Sequence, residues 1–158
     1  MSTRGAIGIR FNGTDKVAYN HYDSYPTGLG QELLNWLKCK TIYDIECEFD
    51  SISFADVHIS TPFDDGFVSE FRDAVEFLYD SLFCEYAYII NLDTKTLEFY
   101  KGFNRNKDAK GRYANCSNPC KLSDGSYMYG VELVKEFPLD ELFTGKWKTD
   151  EDADFVEA

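Results

Sequence analysis

The stretch Tyr86-Ala87-Tyr88-Ile89-Ile90-Asn91-Leu92, with Asp93-Thr94-Lys95-Thr96 and Leu97-Glu98-Phe99-Tyr100 behind it, decides the fold class. The first seven residues are almost continuously apolar and rich in strand formers. The next four favour a turn, and the last four alternate at the two-residue period of a strand. This is a β-hairpin. Upstream, Arg4-Gly5-Ala6-Ile7-Gly8-Ile9-Arg10-Phe11-Asn12 reads as another strand. Asn12-Gly13 closes it, because both residues accept positive φ, and a return strand runs from Lys16 to about His21.

Between the hairpins the period changes. Leu29, Leu33, Trp36 and Leu37 share one helical face, in a helix that follows Pro26 and Gly28 and ends near Cys39. Residues 42–60 hold no period, so short strands or irregular structure are expected around Ser51–Ile59. A second helix is expected from about 65 to 83. Thr61 to Asp65 offer caps, Pro62 stands near the start, and Phe67, Phe71, Ala74, Val75, Leu78 and Leu82 form a stripe. Beyond the second hairpin come a polar loop over 104–125, a strand from Tyr127 to Val134, and one helical turn over Phe137–Phe143 with Pro138 at its first position. The fold class is α+β: two β-hairpins plus a further strand in one mainly antiparallel sheet, covered by two main helices. Residues 1–149 form a single domain. The tail 150–158 carries five acids and no base and is expected to be disordered.

Composition narrows the functional classes. The 158 residues suit one domain, and 44% hydrophobic content with 16% aromatics permits a core. No apolar run reaches the ~18–20 residues of a membrane span, and the first residues lack a signal-peptide core. Five cysteines without framework spacing fit a cytoplasmic location. A net charge of -12 repels nucleic acid. The charge is segregated: Asp44 to Asp80 holds eleven acids against Arg72, and Lys101 to Lys121 holds six bases against Asp108. Acidity serves solubility, or it imitates nucleic acid on the basic surface of a partner protein. On the second reading Asp64, Asp65 and Glu70 bind that partner.

Two clusters carry candidate chemistry. The first runs from Tyr19 to Gly30 at a strand-to-helix junction, where outward amides can receive anions. There His21 is a candidate base, Asp23 its orienting group and Ser24 a nucleophile. Alternatively, Asp23 and Ser24 cap the helix and His21 bonds to backbone. Arg4, Asn20, His21, Asp23, Ser24 and Tyr25 together could bind a small anionic ligand, since the planar Arg4 guanidinium suits a phosphate or carboxylate. Arg4 is expected near Asp23 or His21. The second cluster is the N-terminus. Removal of Met1 leaves Ser2 as a nucleophile beside its own amine. Cys116 and Cys120 form one loose pair where structural zinc needs two tight ones, so no metal and no cofactor are expected.

Thr3-Arg4-Gly5, then Tyr19-Asn20-His21-x-Asp23-Ser24-Tyr25-Pro26-x-Gly28-Leu29-Gly30, then Tyr88-Ile89-Ile90-Asn91-Leu92-Asp93 and Leu97-Glu98-Phe99-Tyr100-Lys101-Gly102, resemble a family of small bacteriophage and mobile-element proteins of unassigned function. The resemblance implies phage origin and carries no catalytic residue. The opening Ser2-Thr3-Arg4-Gly5-Ala6-Ile7-Gly8 is faintly similar to N-terminal nucleophile hydrolases, although the amide-site signatures of the related amidotransferases are absent. Three functions follow as expectations. The first is a phage accessory protein that inhibits host defence by binding a host protein through its acidic surface. The second is a pocket protein that binds or cleaves a small nucleotide-type ligand. The third is a hydrolase built on Ser2 or on His21, Asp23 and Ser24.

Overall fold

Gly5–Phe11 (β1) and Thr14–Asn20 (β2) pair antiparallel across the two-residue turn Asn12-Gly13. Both turn residues hold positive φ, 52° and 75°, which is the conformation an Asn-Gly hairpin turn demands. The computed structural model describes residues 2–54, 70, 71, 75–150, 152 and 154–158, with 53, 54, 70 and 71 described as backbone. The chain continues with a π-helical turn at Pro26–Gly30, helix α1 at Gln31–Leu37 and helix α2 at Ile42–Ser51. Two-residue strands follow at Ser53–Phe54 (β3) and Glu70–Phe71 (β4), then a 3-10 turn at Val75–Tyr79. The second hairpin is Tyr86–Asn91 (β5) with Thr96–Lys101 (β6). Then come Cys120–Lys121 (β7), Tyr127–Met128 (β8), Glu132–Pro138 (β9), helix α3 at Leu139–Phe143, Trp147–Thr149 (β10) and Phe155–Glu157 (β11).

The main sheet has the order β2-β1-β5-β6-β9. Every neighbouring pair is antiparallel except β1 and β5, which run parallel with Ile7 opposite Tyr88 and Ile9 opposite Ile90. Alternation along the strands makes two faces. Ile7, Ile9, Tyr88, Ile90, Leu97 and Phe99 point to one face, where they pack on Leu33, Leu34 and Leu37 of α1 and on Ile45 and Phe49 of α2. Ala6, Val17, Ala87, Ile89 and Tyr100 point to the other, against Leu78, Cys84, Tyr113 and Val131. Burial on both faces explains why β5 reads as an unbroken apolar run. The architecture is the expected α+β arrangement, a mainly antiparallel sheet with two main helices.

The identity of the second helix differs from the expectation. Residues 42–51, where the sequence shows no sustained period, form α2, because Thr41 and Asp44 build a reciprocal capping box and Ile45 and Phe49 lie one turn apart on a single buried face. Only Ile45 and Phe49 of its ten residues are buried, with Ile42 packed beside them, and the exposed Tyr43 and Cys47 blur the period in the sequence. Lys16 of β2 holds the far end of this helix, with Nζ donating to the Phe49 and Ile52 carbonyls at 2.6 and 3.1 Å, where a cation suits both the orphan carbonyls and the helix dipole. The helix expected over 65–83 is corrected at the described positions. The backbone of β4 pairs with β3, which occupies groups a helix would need, and 75–79 winds as a 3-10 turn. Its Val75 and Leu78, three residues apart, face the second side of the sheet.

Three further boundaries shift. The strand expected over Tyr127–Val134 divides into β8 and β9. Between them the Tyr129, Gly130 and Val131 amides bond to the Asn104, Ala114 and Leu78 carbonyls, which ties the 104–125 segment to the sheet. Gly130 lies so close to the Tyr113 carbonyl that a Cβ there would collide with it. Pro138 is the N-cap of α3 rather than its first residue. The tail, expected to be disordered, contributes β11. That strand pairs with β10, and Phe155 packs against Tyr88, Phe99 and Phe137.

Candidate functional site

The end of β2 and the turn behind it divide the candidate residues into two groups. Asn20 and Ser24 are buried and satisfied within the turn. The Asn20 side-chain amide donates to the Tyr22 carbonyl at 2.6 Å and to Ser24 Oγ at 2.8 Å, and Ser24 Oγ donates back to the Asn20 carbonyl at 3.3 Å. The Ser24 amide bonds to the Thr3 carbonyl at 3.1 Å, and the Tyr88 hydroxyl donates to the Ser24 carbonyl at 2.8 Å. Gly5 makes room, since a Cβ on it would lie 2.6 Å from the Ser24 Cβ. Ser24 is 0% exposed and surrounded by protein. It locks β1, β2 and β5 together and has no path to a substrate.

Asp23 is exposed, with φ of 53°, and its carbonyl accepts the Leu29 amide at 2.9 Å as the chain enters the π-helical turn. Its carboxylate accepts a hydrogen bond from the Tyr25 hydroxyl, which raises the Tyr25 pKa. Asp23 is thus engaged with Tyr25 and with the turn. It does not orient His21.

His21 has other partners. Its Nδ1 lies 2.7 Å from the Tyr19 hydroxyl, and its Nε2 lies 3.4 Å from Ser2 Oγ. The Tyr22 ring meets the imidazole edge to face at 4.5 Å. Tyr19 in turn packs edge to face on Phe77 at 5.0 Å, and burial raises its pKa. Ser2, His21 and Tyr19 therefore stand in a row, although the sequence placed Ser2 and His21 in separate hypotheses.

Ser2 also borders a cleft of about 320 Å³, shared with Arg4, Phe83, Glu85 and Phe103. The Arg4 amide donates to Glu85 Oε2 at 3.1 Å and its carbonyl accepts the Glu85 amide at 3.0 Å, which fixes the backbone at the rim. The Arg4 guanidinium lies over the Phe83 ring, 5.5 Å from its centroid. No ion pair joins Arg4 to Asp23 among the described residues. Phe83 and Phe103 are 49% and 57% exposed. A second cleft, of about 690 Å³, lies between 76–83 and 112–120, and Phe83 borders both.

A polar network that sequence reasoning missed lies on the second face of the sheet. Arg112 donates twice to Glu98, at 2.7 Å each, and once to the Tyr113 hydroxyl at 3.1 Å. Tyr113 donates to Asp15 Oδ2 at 2.9 Å, and Arg10 donates to the same oxygen at 3.0 Å. Asn91 and Tyr100 donate to Glu98 at 3.2 and 3.0 Å. Burial pushes the Tyr100 and Tyr113 phenols well up. The one legible signal was a carboxylate in the middle of β6, since alternation turns Glu98 to the face opposite Leu97 and Phe99, which is buried as well. A charge there needs a cation from elsewhere.

Among the described residues no group of three or more His, Cys, Asp or Glu side chains could hold a metal ion, and no helix is long and apolar enough to cross a membrane. Of the acidic trio expected to bind a partner, Asp64 and Asp65 lie outside the described residues and Glu70 is described only as backbone of β4. No family model, no curated protein and no solved structure matches the chain.

Proposed function

We propose that the chain is a pocket protein that binds a small nucleotide-type ligand in the cleft beside Arg4. One observation carries this reading: the Arg4 guanidinium sits over Phe83 in a cleft that also presents Phe103, and both rings stand half exposed. Half-exposed phenylalanine rings are apolar area left in water, and a planar base covers such area by stacking. A fixed cation beside them suits phosphate oxygens. Glu85 supplies a carboxylate that can accept from a base or ribose donor. Charge, aromatic walls and size therefore agree on one class of ligand. Binding of a host protein through the acidic block draws support from charge alone, so ligand binding takes precedence.

Isothermal titration of the full chain against a panel of mononucleotides, linear dinucleotides and cyclic dinucleotides tests the reading. At least one member is expected to bind more tightly than about 0.1 mM, and Arg4→Ala and Phe103→Ala are each expected to weaken it. A panel in which nothing binds, or binding indifferent to both substitutions, overturns the reading.

A further inference from the structure

Ser2 and His21 are brought together from the two ends of the first hairpin, because β1 and β2 pair from Gly5 opposite Asn20 to Phe11 opposite Thr14. Their side chains meet just beyond the last paired residues, with Ser2 Oγ 3.4 Å from His21 Nε2. The other ring nitrogen is held by Tyr19 at 2.7 Å. A nucleophile, a base and a third group that fixes the base form the general pattern of an activated hydroxyl. The 3.4 Å contact is long, yet nucleophile–base contacts in unliganded sites are often loose and tighten when substrate arrives. Ser2 also borders the Arg4 cleft, the place where a ligand would lie.

We propose that Ser2 is a catalytic nucleophile activated by His21, that Tyr19 is the positioning residue for the imidazole, and that the substrate is a phosphoester of the nucleotide-type ligand. The substrate class rests on the reading of the cleft given above. The required tautomer has Nδ1–H donating to the Tyr19 oxygen, which leaves the Nε2 lone pair toward Ser2. In the first step the Ser2 oxygen forms a bond to phosphorus while the bond from phosphorus to the leaving oxygen breaks. The Ser2 proton passes to Nε2, and the imidazolium returns it to the leaving oxygen. In the second step water attacks the phosphoserine, gives a proton to Nε2, and the serine oxygen leaves and takes that proton back. No oxidant, reductant or metal enters the balance. Arg4 borders the same cleft and can neutralise the non-bridging oxygens as charge builds on them. The site differs from a serine triad in its third member. A phenol holds the ring here, and among the described residues no carboxylate is bonded to His21 to offset the imidazolium formed during attack.

The test uses a small alkyl fluorophosphonate, which needs no nucleotide pocket. Ser2 Oγ bonds to its phosphorus, fluoride leaves, and the serine proton is taken up by His21. Intact-mass measurement of the full chain with peptide mapping is expected to show one adduct on Ser2, absent in Ser2→Ala. His21→Ala is expected to label at least tenfold more slowly, and added imidazole is expected to restore labelling, which a merely structural role for His21 would not allow. Tyr19→Phe is expected to lower the maximal labelling rate while leaving the half-saturating reagent concentration unchanged. No adduct at Ser2, or equal labelling rates with and without His21, overturns the proposal. The two readings fail separately: nucleotide binding without a Ser2 adduct removes the nucleophile, and a His21-dependent adduct without nucleotide binding supports the Ser2–His21 pair and removes the ligand class.

Discussion

Arg112 holds Glu98 with both arms of its guanidinium at 2.7 Å, and the carboxylate it holds is only 3% exposed. Glu98 belongs to the sheet and Arg112 to the long segment that crosses its second face. The pair therefore fixes the crossing segment to a strand.

Removal of the cation should expose what the pair conceals. Without Arg112, Glu98 keeps among the described residues the neutral donors Asn91 and Tyr100. Arg112→Ala is expected to lower stability by about 3 kcal/mol, as for other buried pairs broken from one side. The double variant Glu98→Gln with Arg112→Met is expected to recover most of that loss, because no charge is then left unpaired. Urea denaturation of the wild type, Glu98→Gln, Arg112→Met and the double variant provides the cycle.

The 3-10 turn on the same face gives a packing test. Leu78 is fully buried among Cys84, Ala87 and Val131. Leu78→Ala is expected to cost about 2–5 kcal/mol in chemical denaturation. A loss under ~0.5 kcal/mol, the range of substitutions at exposed positions, would place the side chain outside the core.

Ligand binding at the Arg4 cleft should depend on salt. The guanidinium is partly exposed, so its attraction for phosphate falls as added salt shortens the screening length. Wild-type affinity is expected to decline from low salt to about 0.5 M salt, while the weaker binding of Arg4→Ala changes less. Phe103→Ala is expected to weaken binding about tenfold at every salt concentration, since stacking is worth ~1–3 kcal/mol per base. Titration calorimetry across a salt series separates the two contributions.

Acid should act through Asp93. This residue of the second hairpin turn accepts the Asn12 and Gly13 amides of the first at 2.8 and 2.9 Å. The Gly13 and Asn12 bonds hold its pKa below the ordinary 3.8. A lowered folded-state pKa means the proton binds more tightly to the unfolded chain. The stabilisation is therefore present in full above the unfolded value and disappears as pH falls through the folded one. Melting temperatures of wild type and Asp93→Asn are expected to differ at neutral pH and to converge as pH drops through and below 3.8.

The two hairpins and α1 were legible because each carries a local signal: Asn12-Gly13, the turn after Leu92, and leucines at 29, 33 and 37. Helix α2 was hidden because its cap, Thr41 with Asp44, is ordinary in composition and the exposed Tyr43 and Cys47 interrupt its stripe of Ile42, Ile45 and Phe49. The segment after Ala74 misled for the opposite reason. Its apolar residues fit a helical stripe, yet the 3-10 spacing of Val75 and Leu78 fits the same pattern. At the candidate site the sequence reading paired residues by adjacency. His21 and Asp23 are two apart and separate, whereas Ser2 and His21 are nineteen apart and meet. Strand pairing decided this, and register is a property of the folded hairpin.

The parallel contact between β1 and β5 carries a consequence for how the chain reaches this structure. Each hairpin closes over a few residues and can form early, because short loops cost little entropy and hairpins assemble in microseconds. The central seam joins Gly5 to Tyr86 and Arg10 to Asn91, partners about 80 positions apart, and must wait until those ends find each other. Until then β1 and β5 present apolar edges without a neighbour. The slow step in refolding is thus expected to be the meeting of two finished hairpins, and the interval before it is when chains at high concentration are most exposed to pairing with one another instead.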